Sequence, residues 1–272
     1  MGAKAMQPSH QRAALVFITG ASSGIGQALA RHYYNAGCSL ALVARRVGEM
    51  RNWTALAGWD SERCCSYGAD VSDMDQAVQA GWDCIEAQGL PDIVIANAGI
   101  SMGMDSSQRT DLDAMRQVHA TNVLGMAATF QPFVAPFVNR GSGTLVGIAS
   151  VAGVRGLPGH GAYCSSKAAV ISYCESLRSE MVAATGRKGV KVVVICPGYV
   201  ATPLTQRNPF PMPFLMTAQD FATRAARAIE TGSGYSVIPW QMSLAAKLLR
   251  VLPDRVFDRA MKGQPRKPRQ GG

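Results

Sequence analysis

The sequence predicts an α/β protein whose core is an open, doubly wound parallel sheet of about seven strands with helices on both faces. Short, uninterrupted apolar runs alternate with longer helical patterns between residues 13 and 238. Such alternation is typical of consecutive strand-helix-strand units. At 272 residues and 47% hydrophobic content, the chain can bury one substantial core.

Each strand is predicted from an apolar run, and each helix from an apolar face with a start or stop signal. Gly37 is a natural C-cap for the first helix, Ser72 can cap a later one, and Thr217 with Asp220 approximates a capping box. The strands are expected at 13–18, 39–44, 64–67, 92–96, 144–149, 190–196 and 235–238, and the helices at about 25–37, 72–88, 112–137, 163–184 and 217–232.

Composition excludes several classes of protein. The seven cysteines follow no Cys-x-x-Cys spacing and mostly lie in apolar runs, which indicates reduced thiols in a cytoplasmic protein. The four histidines are scattered, so no metal site is predicted. No apolar stretch resembles a signal peptide or approaches the roughly 20 residues of a membrane span.

The charge is concentrated at the C-terminus. The chain carries a formal net charge of +9, and eight basic residues against two aspartates follow from Lys247 onward. We expect a flexible leader at 1–12, one domain at 13–240, and an extension at 241–272. The extension is predicted to be amphipathic and helical, with an apolar stripe interrupted at Pro253 and followed by a basic tail at 262–269. The stripe comprises Leu244, Leu248, Leu249, Leu252, Val256 and Phe257.

Two interpretations of the extension remain open. An amphipathic segment with a basic tail can rest on an anionic membrane surface, giving the protein a peripheral location. Alternatively, the stripe packs on the domain or on a sister subunit and the tail is disordered. In the first case a lipid-chain ketone, such as an oxoacyl or ketosphinganine-like compound, becomes an attractive substrate.

A glycine-rich turn follows the first strand directly and opens a helix. It reads Thr-Gly-Ala-Ser-Ser-Gly-Ile-Gly over residues 19–26. Gly20 permits a tight turn, Gly24 lets the backbone approach a pyrophosphate, and Gly26 allows close helix packing. The free N–H groups of the helix N-terminus attract an anion, so this context predicts a phosphate-binding site.

Tyr163 and Lys167 lie four residues apart, about one helical turn, so they share one helix face. A nearby cation favours the phenolate and lowers the pKa of a tyrosine. The pair can therefore exchange protons, although the spacing alone also fits an ordinary solvated face.

Together these motifs resemble the short-chain dehydrogenase/reductase family, with its Rossmann-type fold. The resemblance covers roughly residues 13–238 and rests on motifs in a fixed order. They are the turn at 19–26, Asp70-Val71, Asn97-Ala98-Gly99, Asn122, Ser150, Tyr163 to Lys167, and Pro197-Gly198.

The resemblance implies a role for each catalytic candidate. Tyr163 would be the general acid that protonates a carbonyl oxygen as hydride arrives. Lys167 would lower the pKa of Tyr163 and hold the nicotinamide ribose. Ser150 would hydrogen-bond the substrate oxygen, and Asn122 would anchor a water-linked proton relay to Lys167.

The resemblance also implies a nicotinamide cofactor, and the residues after the second strand favour NADP. Arg45 and Arg46 stand where NAD-preferring relatives place an acidic residue. Ser22 and Ser23 can add hydroxyl contacts, although Ser23 occupies the place of a basic residue that the family sometimes shows. The other expected cofactor contacts are Gly20, Gly24, Ile25, Gly26, Asp70, Val71, Asn97, Ala98, Gly99, Tyr163, Lys167, Pro197, Gly198, Val200 and Thr202.

The expected function is therefore NADPH-dependent reduction of a hydrophobic ketone to a secondary alcohol, in a homo-oligomer such as a dimer or tetramer. Two alternatives are a small-alcohol or polyol dehydrogenase of the same family and a cofactor-binding scaffold without turnover. The expected pocket walls have few charges. They are Val151, Val154, Leu157, Tyr199, Leu204, Phe210, Met212, Phe214, Leu215 and Met216, and His160 is expected in the loop or pocket nearby.

Overall fold

A computed structural model describes residues 13–206, 208–263 and 265–269. The predicted leader at 1–12 lies outside them. The strands are β1 (Leu15–Thr19), β2 (Ser39–Ala44), β3 (Cys64–Gly68), β4 (Ile93–Ala96), β5 (Gly143–Ile148), β6 (Val190–Pro197), β7 (Val200–Ala201), β8 (Met216–Thr217) and β9 (Tyr235–Ile238).

The central sheet has seven parallel strands in the order β3-β2-β1-β4-β5-β6-β9. From β1, the strands β2 and β3 follow toward one edge of the sheet, whereas β4, β5, β6 and β9 follow toward the other edge. This reversal creates a switch point between β1 and β4, where α/β sheets open a crevice at the carboxyl ends of their strands. The predicted doubly wound sheet is therefore confirmed.

Helices cover both faces of this sheet. They are α1 (Gly24–Asn35), α2 (Val47–Leu56), α3 (Met74–Gln88), α4 (Asp111–His119), α5 (Gly125–Arg140), α6 (Gly161–Thr185), α7 (Ala218–Thr231), α8 (Trp240–Val251) and α9 (Asp254–Met261). Among the described residues, no helix has the length and apolar character needed to cross a bilayer.

The alternating side chains of the strands build one apolar layer on each face. On one face Phe17 packs against Phe133 of α5, with ring centroids 5.0 Å apart, and both side chains are fully buried. On the other face Ile18 and Leu42 lie in a cluster with Phe221 of α7. These layers hold the strands in a register that brings their carboxyl ends together.

Three local predictions differ from the structure. Helix α2 was not predicted, because Met50 is its one buried side chain and its apolar periodicity is weak. The cap of α3 is Asp73, whose carboxylate accepts from the N–H groups of Asp75 and Gln76, and not Ser72. The helix predicted at 112–137 is interrupted by a π turn at Ala120–Leu124.

The C-terminal stripe forms two helices separated at Pro253, as predicted, but its apolar residues divide between two environments. Phe257 is buried against the domain, whereas Leu244, Leu248 and Val256 are exposed. The basic tail, where it is described, lies on the domain. Arg269 forms an ion pair with Asp111.

Candidate active site

A cleft of about 310 Å³ opens at the carboxyl ends of the parallel strands. Loops after β1, β2, β3, β4, β5 and β6 line it, together with the first turns of α1 and α6. Of the predicted catalytic and cofactor-binding residues, Gly26 and Asn122 do not line it. Those that do are Gly20, Ser22, Ser23, Gly24, Ile25, Arg45, Arg46, Asp70, Val71, Asn97, Ala98, Gly99, Ser150, Tyr163, Lys167, Pro197, Gly198, Val200 and Thr202.

The glycine-rich turn depends on the absence of side chains. Gly20 has a φ of 67°, and a Cβ there would lie 2.8 Å from the Cα atom of Ala98. A Cβ at Gly26 would overlap the carbonyl oxygen of Gly20. Gly24 has a φ of 57°, and a Cβ there would lie 3.3 Å from Thr202 Cβ. The turn therefore leaves its backbone bare toward the cleft.

The N-terminus of α1 is suited to an anion. Ser23 is the N-cap residue with an extended backbone, and its side chain makes no capping hydrogen bond. The first turn contains no acidic residue. Its N–H groups and the positive end of the helix dipole thus face the cleft, as a bound phosphate requires.

The two arginines after β2 line the same end of the cleft. Arg45 Nη1 lies 3.5 Å from Asp70 Oδ2, and Arg46 Nη2 lies 3.5 Å from Ser22 Oγ. Both guanidinium groups are largely exposed, and both contacts are at the limit of a hydrogen bond. Hydrogen bonds from Ser72 to Asp70 contribute to holding the pKa of this carboxyl below its usual range. Each arginine can therefore turn toward a phosphate at little cost.

Ser150 and Tyr163 meet inside the cleft. Ser150 is 7% exposed, and its hydroxyl oxygen accepts from the N–H of Ala152 at 3.2 Å. The hydroxyl proton remains free to donate, and a hydrogen bond from Ser150 favours the Tyr163 phenolate. Burial outweighs this effect and raises the pKa of Tyr163 to about 12. The pKa is thus raised where the sequence predicted a lowered value, and the phenol keeps its proton at neutral pH.

Lys167 is 5% exposed and carries its ammonium into the cleft one turn after Tyr163. The Nζ atom donates to the carbonyl oxygen of Ile148 at 2.8 Å and lies 5.8 Å from the Tyr163 ring centroid. Burial lowers the pKa of Lys167 to about 8. The lysine is therefore poised to gain or lose a proton near neutral pH.

Asn122 lies beneath the cleft in the π turn between α4 and α5 and is 1% exposed. Its amide group donates to the Ile100 carbonyl at 3.0 Å and to Ser166 Oγ at 2.9 Å, and its oxygen accepts from the Ile100 N–H at 2.8 Å. These bonds join the loop after β4 to α6. The side chain thus holds the two walls of the cleft together.

The predicted substrate pocket is only partly assembled. Leu204 lines the cleft, and Tyr199 contacts Phe210, which also meets His160 edge to face at 5.7 Å. Met216 instead lies in the core as part of β8. Phe214 and Leu215 are about half exposed. The pairing of β7 with β8 decides these positions, and the sequence did not predict it.

Sequence reasoning missed several residues that shape the cleft. Thr205 closes the loop after β7 by donating to the carbonyl oxygens of Val200 and Thr202. Arg155, in the loop after β5, donates to the carbonyl oxygens of Leu249 and Leu252 and thereby caps the C-terminus of α8. These contacts join distant parts of the chain, so no local pattern signals them.

Comparisons with known proteins identify the family. The family model described as short chain dehydrogenase matches residues 14–210. An uncharacterized oxidoreductase of Myxococcus xanthus is 38% identical over 248 residues, with 89% of this chain and 94% of the relative covered. An uncharacterized oxidoreductase of Mycobacterium tuberculosis is 33% identical, with 90% and 96% covered.

Solved structures share the fold. A short-chain dehydrogenase/reductase from Burkholderia phymatum in complex with NAD superimposes with a TM-score of 0.77 at 24% identity, covering 94% of this chain and 98% of the other. A short chain dehydrogenase from Burkholderia cenocepacia in complex with NADP has a TM-score of 0.76 at 20% identity, covering 93% and 99%. The chain belongs to the short-chain dehydrogenase/reductase family of oxidoreductases.

The glycine turn yields a first prediction. Gly26→Ala should destabilise the fold by about 1–3 kcal/mol, because the new methyl group overlaps the Gly20 carbonyl and the turn must shift. Urea unfolding monitored by circular dichroism measures the change. Gly48→Ala is the matched control, since a Cβ at Gly48 in α2 meets no atom within 4 Å. Equal stability of the two variants would contradict the close approach.

Proposed function

We propose that the protein is an NADPH-dependent oxidoreductase that reduces a ketone to a secondary alcohol, on a hydrophobic or lipid-like substrate. The observation that carries the proposal is that Ser150, Tyr163 and Lys167 line the same cleft as the bare glycine turn. A protonated phenol, a free hydroxyl proton and a buried ammonium are the groups that carbonyl reduction requires.

Tyr163 acts as the general acid. When bound, a reduced nicotinamide would supply the hydride that the carbonyl carbon receives. Tyr163 gives its proton to the carbonyl oxygen, and Ser150 donates a hydrogen bond that stabilises the developing charge on that oxygen. The Lys167 ammonium stabilises the phenolate that forms and returns a proton toward it. Its lowered pKa suits that exchange.

Asn122 supports the return of the proton. Its side chain is fully engaged with Ile100 and Ser166. A water-linked relay from Lys167 would therefore use the Asn122 backbone, which lies in a π turn, a feature that often marks functional sites.

The cleft suits a cofactor whose pyrophosphate lies at the glycine turn. The N–H groups of the first turn of α1 would bind the pyrophosphate there, beside glycines that carry no side chains. Asp70, Val71 and the 97–99 loop would contact the adenosine, and the 197–202 segment the nicotinamide. Two similar folds were solved with NADP and with NAD, respectively.

We favour NADP because two arginines line the adenosine end. Within the described residues, Arg45 makes a weak contact with Asp70, and Arg46 makes a weak contact with Ser22 and an exposed ion pair with Glu49. A ribose phosphate would bind the guanidinium groups more strongly than these partners do.

Two alternatives remain, and activity separates them. A small-alcohol or polyol dehydrogenase would need a polar pocket, whereas Leu204 and the contacting rings of Tyr199 and Phe210 favour an apolar substrate. A scaffold without turnover has no need of a buried lysine beside a tyrosine. The buried Lys167 therefore supports the enzyme.

Apolar side chains on the surface support contacts beyond the substrate. Leu112 and Tyr173, on α4 and α6, are exposed, which favours a homo-oligomer. We further propose that the protein is cytoplasmic. On α8 one face is exposed beside the cations Lys247 and Arg250, and we propose that it makes peripheral membrane contact. That face consists of Trp240, Leu244, Leu248 and Val251.

Replacing the proposed acid tests the mechanism. Tyr163→Phe should lower kcat for ketone-dependent NADPH oxidation by roughly a hundredfold or more, because the proton donor is lost. Absorbance of NADPH across a ketone panel graded by chain length measures the rate. Tyr173→Phe on the same helix is the matched control and should retain activity. Unchanged turnover in Tyr163→Phe would overturn the assignment.

Cofactor selectivity depends on Arg45. Arg45→Asp should raise Kd for NADPH about tenfold or more, because it replaces a phosphate-binding cation with a repelling carboxylate. Binding of NADPH and NADH is compared by fluorescence titration. Arg51→Asp, on α2, serves as the control. An unaltered preference in Arg45→Asp would remove the phosphate role.

The exposed face of α8 is tested by the double variant Leu244→Glu/Leu248→Glu. We expect reduced sedimentation with vesicles that contain phosphatidylserine, because two charges replace the apolar contact. Light scattering of the same samples reports the subunit number. Unchanged vesicle binding contradicts membrane contact, and dissociation of an oligomer instead assigns the face to a second copy of the chain.

A further inference from the structure

The described tail at 265–269 runs back across the loops beside the active site. Arg269 pairs in parallel with Gly103 in the loop after β4. A Cβ at Gly103 would overlap the Lys267 carbonyl oxygen, and one at Gly159 would lie 3.0 Å from Arg266 Cβ. The tail therefore lies against both the loop after β4 and the loop that leads into α6.

A bidentate ion pair anchors this tail. Arg269 Nε and Nη2 donate to Asp111 Oδ2 and Oδ1 at 2.6 and 2.8 Å. Asp111 is 6% exposed and also accepts from the Asp105 N–H at 2.7 Å. Hydrogen bonds from Arg269 hold the pKa of Asp111 at about 2, so the pair stays charged at any physiological pH.

Lys267 is the residue of this tail that turns inward. It is partly buried, whereas its neighbours Arg266 and Arg269 are exposed. Its Nζ atom donates to the carbonyl oxygen of Leu204 at 3.3 Å. Leu204 lines the cleft that also contains Ser150 and Tyr163. Burial, and then the nearby Lys267 ammonium, lowers the pKa of His160, whose ring meets Phe210 at 5.7 Å. Lys267 does not itself line the cleft, so its ammonium lies next to the predicted wall of the substrate pocket.

The side chains around the described tail include more cations than carboxylates. The carboxylates near the tail are Asp105 and Asp111, and both face Arg269, with Arg266 a further partner of Asp105. Within the described residues, no ion pair is formed by Lys267. A partly desolvated ammonium with only a carbonyl partner is costly, and an anion beside it would offset that cost.

We propose that Lys267 is a specificity-determining residue, which gives the site a preference for a ketone that carries an anionic group, such as a carboxylate, away from the reacting carbonyl. The inference rests on the proposed function and narrows its substrate to an amphiphilic oxo acid. The apolar side chains of Leu204, Tyr199 and Phe210 would contact the chain between the two groups.

The test compares substrates that differ only in charge. A series of straight-chain keto acids, beginning with levulinate, is assayed beside the corresponding methyl esters. We expect Lys267→Gln to lower the acid-to-ester ratio of kcat/KM about tenfold, mostly through KM of the acid. Lys267→Arg should restore much of the ratio. Lys262→Gln, which changes an exposed lysine, is the control and should leave the acid-to-ester ratio of kcat/KM unchanged.

A second readout is independent of turnover. A cation near His160 disfavours the imidazolium, so loss of the Lys267 charge should raise the pKa of His160 in an NMR titration of the full chain. His160→Gln identifies the signal, and Lys262→Gln should leave the pKa in place. An unmoved His160 pKa in Lys267→Gln would overturn the placement of the ammonium.

The outcomes separate the two proposals. Absence of turnover with every acid and ester contradicts the proposed function. If acids and esters are both turned over and Lys267→Gln affects them equally, the role of Lys267 is contradicted and the proposed function is not. A selective loss for the acid supports both.

Discussion

The whole site depends on the close approach of two strand ends. The amide group of Asn97, just after β4, donates to the carbonyl oxygens of Thr19 and Gly20 at 2.9 and 3.3 Å. These bonds tie the glycine turn to the neighbouring strand at the switch point of the sheet. A side chain at Gly20 would meet Ala98, and one at Gly26 would meet the Gly20 carbonyl, so the turn, α1 and the loop after β4 pack closely only because these residues are glycines.

Burial and hydrogen bonds determine the pKa values and the positions of Tyr163 and Lys167, which lie in the same cleft as the glycine turn. Removing Lys167 from water disfavours its charge, and removing Tyr163 disfavours the phenolate. Both shifts favour proton transfer in one direction, from the Lys167 ammonium to a Tyr163 phenolate. Asn122 holds the surrounding walls, so the buried polar groups have partners and the cleft keeps its shape.

The C-terminal part of the chain is joined to these walls by two arginines. Arg155 bonds the end of α8 and pairs with Asp254 at 2.7 Å, while its guanidinium lies 4.0 Å from the Phe257 ring centroid. Arg269 joins the tail to the start of α4 through its ion pair with Asp111. The two arginines therefore tie α8 and the described tail at 265–269 to the loop after β5 and the start of α4.

The sequence was sufficient to predict the seven strands of the parallel sheet, most of its helices and most of the residues that line the cleft. Parallel strands are short and apolar, and glycine turns and the Tyr163 to Lys167 spacing are local patterns that survive without knowledge of the fold. The weak helix α2 and the π turn around Asn122 lack such patterns, so they were missed or simplified.

The pKa values, and the contacts between residues far apart in the sequence, could be obtained from the tertiary structure alone. The sequence predicted a lowered pKa for Tyr163, but the pKa depends on how much water the fold removes, and burial raises it. The inward turn of Lys267 likewise depends on the ion pair between Arg269 and Asp111, which lie far apart in the chain. The spacing of residues along the chain shows which chemical groups are present in a motif. The tertiary fold determines which of those groups are buried and which contact each other.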